Sequence, residues 1–230
     1  GIMMDWEKLI KPYRLGCPKD KCAHDPNRNE FQRDFDRIIF SAAFRRLNGK
    51  TQVFPFPETD VIHTRMTHSL ETASVGRSLG TIVGNELNKK QTSISGWELG
   101  AIVCVASLAH DIGNPPLGHS GERAISEFFN SGSGSKVLEV LTPEQKSDFM
   151  HFEGNAMGFH ILTYSNPKKT NATGGLGLTY PTLAAFSKYP RPAQIYNQKN
   201  VVSEKKFGLF QCDVGSFSEI AQELGIPLKE

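Results

Sequence analysis

At 230 residues the chain is long enough for one domain with a sizeable core, and 38% hydrophobic with 22% charged residues describes an ordinary folded globular protein, which excludes intrinsic disorder. A formal net charge of +2 gives no ground for nonspecific nucleic-acid binding, although a local cluster of Arg, Lys and His can still hold a polyanion. No stretch has the make-up of a signal peptide or the apolar length of a membrane span, so no membrane partner and a cytoplasmic location are expected.

Gly1-Ile2 ahead of Met3-Met4 reads as added sequence, with the start at Met3 or Met4. Residues 5–11 predict a short helix and 16–29 a loop. Cys17-x4-Cys22-x-His24 falls in that loop, but its spacing is loose and a fourth ligand is missing, so zinc is not assigned there. From 31 to about 47, Phe31, Phe35, Ile38, Ile39, Ala42, Ala43, Phe44 and Leu47 recur at helical spacing, with Ser41 a small interruption. Residues 50–62 carry Pro55 and Pro57 and read as irregular or extended. A long helix follows over about 65–88, with Met66, Leu70, Ala73, Leu79, Ile82, Val83 and Leu87 as its buried stripe.

Residues 97–109 (WELGAIVCVASLA) are too apolar for an exposed helix and predict a buried one, with Cys104 a small core residue. Gly113 and Pro115-Pro116 stop it, since proline lacks the amide donor and clashes with the preceding turn. Ser120 is placed to cap the next helix, whose inward face is Ala124, Ile125, Phe128 and Phe129. Ser131 to Ser135 is flexible by composition. A further helix starts near Pro143 and runs into 149–164, and 165–177 reads as a surface loop. Residues 179–189 make a short helix ended by Pro190 and Pro192. A short β-hairpin is expected near 194–212, and the last helix is capped by Ser216 and stopped by Gly225. The class is mainly α, with no internal repeat.

The chemistry concentrates in two short blocks. His110-Asp111 closes the buried helix, and His68 stands upstream in Thr-His-Ser-Leu-Glu. Imidazole nitrogens and a carboxylate suit a divalent cation of intermediate hardness. Neighbouring residues on a helix point about 100° apart, so one ion takes both side chains only from beside the helix edge. A His-Asp pair by itself is more often a capping aspartate beside a satisfied histidine. The surroundings shift that balance, because His119 and Glu122 follow at once, with Asn114, Gly118 and Gly121 among them.

These blocks together resemble the HD-domain phosphohydrolases, specifically the deoxyguanosinetriphosphate triphosphohydrolase family. The resemblance is carried in order by FQRDFDRIIFSAAFRRLNGKTQVFPF (31–56), HTRMTHSLE (63–71), LAHDIGNPPLGHSGE (108–122), HFEGNA (151–156) and GLGLTYPTLAAFSKYPRP (175–192). It implies an HD-type helical bundle with 1–30 as an N-terminal arm, 31–192 as the family-matching core, and 193–230 as hairpin and last helix. It also implies hydrolysis of a deoxynucleoside triphosphate to deoxynucleoside and inorganic triphosphate. His68, His110 and Asp111 are then ligands of a divalent metal ion (Mn, Mg, Fe, Ni or Zn). His119 and Glu122 become the catalytic pair, and Gln52, Asn155, Lys188 and Tyr189 the substrate contacts. For Arg45 and Arg46, pairing with Asp34, Asp36 or Glu71 is expected, and Arg65 stays open between phosphate and structure. A homo-oligomer is expected; a nucleic-acid effector has no support in the sequence.

Asn48 stands where the family commonly has Gln, Leu117 where it often has Phe, and Met157 where it often has Gln. These touch pocket lining and leave the metal and acid–base positions intact. The family's further aspartate ligand follows a stretch like FSEIAQELGI, just before Glu230. Asp148 and Asp213 lie in the wrong surroundings, so a chain truncated before that ligand, with weak metal binding and little turnover, is expected. The rivals are another HD-type nucleotide phosphohydrolase and a nucleotide-binding regulatory module without turnover.

Overall fold

A computed structural model describes residues 5–20, 25–50, 64–90, 93–168, 172–193 and 207–228. Among these the chain is a helical bundle without strands. Its helices are α1 (Trp6–Leu9), α2 (Glu30–Ile39), α3 (Ala42–Arg45), α4 (Arg65–Lys89), α5 (Gly96–Ala109), α6 (His119–Asn130), α7 (Pro143–Met150), α8 (Gly154–Thr163), α9 (Tyr180–Phe186) and α10 (Val214–Leu224). Short 3₁₀ segments at Arg46–Gly49, Ser133–Val140 and Gln211–Asp213 link them. Leu108, Phe159, Leu162, Leu183 and Ile220 meet in the centre, each essentially inaccessible to solvent. Burying one such side chain contributes roughly 1.5–3 kcal/mol.

Helix α5 is the buried helix expected from its apolar run. Ser95 and Glu98 close its N-terminus as a reciprocal capping box. Helix α4 packs along it through small residues: Gly76, Gly80 and Gly84 are buried, with Ser69 and Ala73 on the same face. A Cβ on Gly80 would lie 2.8 Å from the Leu99 carbonyl oxygen, and one on Gly84 2.6 Å from the Gly96 Cα. The two backbones therefore approach too closely for side chains between them. This corrects the expected stripe, because Leu70, Leu79, Ile82 and Val83 are exposed, and Val75 with them. Hydropathy marks large apolar residues, whereas closeness of approach selects glycine.

Other boundaries also move. The helix expected over 31–47 breaks at Phe40-Ser41, where the Ser41 hydroxyl accepts from the Phe44 N–H and starts α3 anew. Helix α5 ends one turn before Gly113, with His110 as its cap. Helix α6 begins at His119, with Gly118 at φ +54° as its cap in place of Ser120, and holds no buried residue. Residues 133–140, expected to be partly flexible, wind into a 3₁₀ segment. The helix expected from Pro143 to 164 is two helices, α7 and α8, each with its own side-chain cap, Thr142 and Glu153. Helix α10 starts at Val214 without a Ser216 cap and ends, as expected, at a left-handed Gly225. Most of the expected hairpin lies outside the described residues. Its described part holds no strand, since Leu209 makes an isolated parallel bridge to Pro192 and Gln211–Asp213 turn into 3₁₀.

A buried ionic knot joins the N-terminal segment to α2 and α9. The Arg14 guanidinium reaches Glu30 Oε2 at 2.6 Å and Asp34 Oδ1 at 2.6 Å, and donates to the Gly177 carbonyl at 2.8 Å. Asp34 Oδ2 accepts from the Thr179 N–H and hydroxyl, the latter being the α9 cap.

On α7, Asp148 is buried with the Gln211 N–H on its Oδ2 at 2.9 Å. Burial pushes its carboxyl up to about 6, against that hydrogen bond and helped by the charge of Asp213. The Cys212 thiol is pushed up to about 11 by burial and by the same two carboxylates. The titratable groups around Asp148 are thus Asp213, Cys212 and His160, which lines the same cavity. A carboxyl held above its unfolded value binds a proton preferentially in the folded state, so it costs stability as pH rises from about 4 through about 6. Asp148→Asn in metal-free protein should therefore raise Tm at pH 8 and change it little at pH 4. Each kcal/mol amounts to about 2–4 °C in thermal scans.

Candidate metal centre

His68 lies in the second turn of α4, and His110-Asp111 at the end of α5. The tight α4–α5 packing brings the two places together. One ligand atom from each of His68, His110 and Asp111 lies within 4.8 Å of the others. The two imidazoles meet edge to face at 5.2 Å.

His110 is oriented from behind. Its Nδ1 lies 2.7 Å from the Ser107 carbonyl oxygen, which only accepts, so Nδ1 carries the hydrogen. Burial lowers the His110 pKa, with His68 and Lys188 adding to this, while Asp111 and the Ser107 bond oppose it. The neutral ring then presents the Nε2 lone pair, and Nε2 lies 3.3 Å from Asp111 Oδ1. Two acceptors facing at that distance repel each other, and a cation between them turns the contact favourable. A backbone carbonyl fixing the rear nitrogen is also the usual support of a metal-binding imidazole.

Asp111 is held on both oxygens. Arg65 donates to Oδ2 at 3.1 Å, and the Asn114 amide to Oδ1 at 2.5 Å. The Lys50 ammonium in turn binds the Asn114 carbonyl at 2.9 Å. Burial lowers the Lys50 pKa, followed by the charges of Arg65 and Arg46, with Asp111 opposing. Lys50 and Arg65 thus act electrostatically on Asp111 and Lys188 on His110, while Arg46 acts on Lys50. Arg65 is buried, and its Nε has no acceptor among the described residues. Among the described residues the expected pairing of Arg45 and Arg46 with Asp34, Asp36 or Glu71 is not found; Asp34 is taken by Arg14 and Asp36 by Arg28.

His119 and Glu122 also meet. His119 Nδ1 lies 2.7 Å from Glu122 Oε2, while Glu122 Oε1 accepts from the Gly154 N–H at the start of α8. The carboxylate is anchored, and the imidazole it orients is 85% exposed. Gly113, between the two histidines, is backed against α8, where a Cβ would fall 2.1 Å from the Gly154 oxygen and the Gly158 nitrogen. Asn155 turns its amide to Glu153 Oε1 at 2.7 Å, bracing the α8 cap. Lys188 and Tyr189 are exposed just beyond α9, with Tyr189 at φ +51°. Gln52, Cys22 and His24 lie outside the described residues. Asp213 joins no ligand atom of the triad but a different group, with His160 and Cys212. The roles of Ser107 and Lys50 were missed in the sequence because each acts through its backbone or on a backbone, and no residue type marks that.

A mainly helical bundle with a histidine on one helix and a His-Asp pair on its close neighbour defines an HD-type protein. No family model matches the chain. It is 46% identical to a deoxyguanosinetriphosphate triphosphohydrolase-like protein of Pseudomonas aeruginosa over 97% of this chain and 50% of that protein. Proteins described in the same words from Synechocystis sp. and Listeria monocytogenes are 42% and 37% identical, over 97% and 94% of this chain and 52% and 49% of theirs. The chain is similar along nearly its whole length to these triphosphohydrolase-like proteins, and it spans about half the length of the curated relatives it matches. Among the described residues no helix is long and apolar enough to cross a membrane.

Proposed function

We propose that the chain carries the metal centre and the proton-transfer pair of a deoxynucleoside triphosphate triphosphohydrolase, acting in the cytoplasm. The observation that carries this reading is the facing pair of acceptors, His110 Nε2 and Asp111 Oδ1 at 3.3 Å, with His68 beside them. The donor set fits a divalent cation, with His68, His110 and Asp111 as ligands. When bound, the cation supplies Lewis acidity toward a phosphoryl oxygen and toward water.

Arg46, Lys50, Arg65 and Lys188 supply the positive field that a triphosphate needs, and Arg65 Nε has no acceptor among the described residues. Water attacks the α-phosphorus, the bond to the deoxyribose O5′ breaks, and the deoxynucleoside leaves with a proton on O5′ while the three phosphates stay joined as inorganic triphosphate. His119, with Nδ1 fixed by Glu122, transfers the proton with its outward Nε2. Lys188 and Tyr189 contact phosphates, and Gln52 and Asn155 the rest of the nucleotide. The partner beyond substrate is a second copy of the chain, supported by the exposed strip Val75, Leu79, Ile82 and Val83 on α4.

The test is the product formed from each deoxynucleoside triphosphate with Mn²⁺, followed by phosphorus NMR. Inorganic triphosphate with free deoxynucleoside supports the proposal, at whatever rate. Orthophosphate or pyrophosphate would assign the site to another HD-type phosphohydrolase. Thermal stabilisation by nucleotide without any product would make it a regulatory binding module. Where triphosphate is released, His119→Ala should lower kcat by about 10²-fold or more with metal content unchanged. Near-normal turnover would return His119 to a structural role.

A further inference from the structure

Away from the HD centre, α7, α8 and the 3₁₀ turn before α10 border a cavity of about 470 Å³. Phe152, Met157 and Phe210 line its apolar side, and Asp148, His160 and Cys212 stand at its polar side. His160 Nδ1 lies 3.0 Å from both oxygens of Asp213 and 3.7 Å from the Cys212 sulfur. A tetrahedral ion about 2.0–2.3 Å from each donor would hold such atoms about 3.3–3.6 Å apart. The observed spacings bracket that range.

A plain His160–Asp213 hydrogen bond explains only part of this arrangement. It leaves unexplained the thiol turned to the same nitrogen. It also leaves Asp148, 8% exposed, with Oδ1 buried and without a hydrogen-bond partner among the described residues. The other oxygen of Asp148 is fixed by the Gln211 N–H, next to Cys212. A buried carboxylate, a thiol and an imidazole thus gather, with the buried Asp148 on the same cavity, and no Lys or Arg is bound to any of them among the described residues.

We propose that His160, Cys212 and Asp213 form a second metal site that takes a zinc-type ion, with the buried carboxylate of Asp148 close by. Sulfur among the donors selects Zn²⁺ or Co²⁺ over Mg²⁺ or Mn²⁺. Three donors come from protein, so the ion ties α8 to the 3₁₀ turn before α10, and the Asp148 charge on α7 favours it from beside. Nothing in the proposal depends on the HD centre or its activity.

The test uses the full chain, stripped of metal by chelation and carrying His110→Ala to remove a ligand of the HD centre. Titration with Co²⁺ should give one equivalent with thiolate-to-cobalt charge-transfer absorption, displaced by Zn²⁺. Zn²⁺ should also raise Tm. In Cys212→Ser on the same background, folded by circular dichroism, the absorption should vanish and the Tm shift should shrink. Asp148→Asn, which is expected to fold at least as well, should weaken Zn²⁺ binding by roughly 10–100-fold. Absence of thiolate absorption in the folded parent, its survival in Cys212→Ser, or unchanged Zn²⁺ affinity in Asp148→Asn would overturn the proposal.

Discussion

Asp111→Asn should cut the affinity of the chain for Mn²⁺ by at least about 10²-fold, since even losses around a ligand typically cost about 10–100-fold. The amide keeps the shape and one acceptor oxygen, so the loss isolates the charge. Asparagine is chosen because alanine would strand Arg65, a buried guanidinium whose partner is Asp111 Oδ2. His110→Ala should match the effect by removing the Nε2 donor, while leaving the Ser107 carbonyl free to find water. Isothermal titration of folded, metal-free variants reads both. A wild-type affinity retained in either variant would mean that the ion sits elsewhere.

Arg14→Ala should destabilise the fold by about 3–5 kcal/mol, the usual cost of breaking a buried ion pair by removing one partner. Glu30 and Asp34 are both buried, and Arg14 is the only cation on Asp34 among the described residues. Glu30 would keep Arg33, whereas Asp34 would keep hydrogen bonds from threonine side chains and the Thr179 N–H but no cation in contact among the described residues. A domain is stabilised by about 5–15 kcal/mol, so the loss is a large share of the total. Urea unfolding at pH 7 measures it. Lys19→Ala, which removes a surface pair to Glu223, should leave the curve in place.

Much of the centre was legible because its residue types are rare in combination and close in sequence. His110-Asp111 follows a run whose apolarity announces burial, and the three-residue spacing of His119 and Glu122 places both on one turn of α6. The face of α4 was not legible. Gly76, Gly80 and Gly84 carry no hydropathy signal, yet they set the α4–α5 distance that brings His68 to His110. The same blindness hid the break at Ser41 and the division of α7 from α8, where a cap on a local hydroxyl or carboxylate overrides an apolar period that runs on. Arg14 with Asp34 was beyond reach because the partners are twenty residues apart and burial selects the pairing.

The most direct test of the metal centre is anomalous scattering from crystals grown with Mn²⁺ and measured at the manganese edge. One peak should lie among His68, His110 Nε2 and the Asp111 carboxylate, roughly 2.0–2.3 Å from each ligating atom. A peak at other residues, with Asp111 still closed between Arg65 and Asn114, would contradict it.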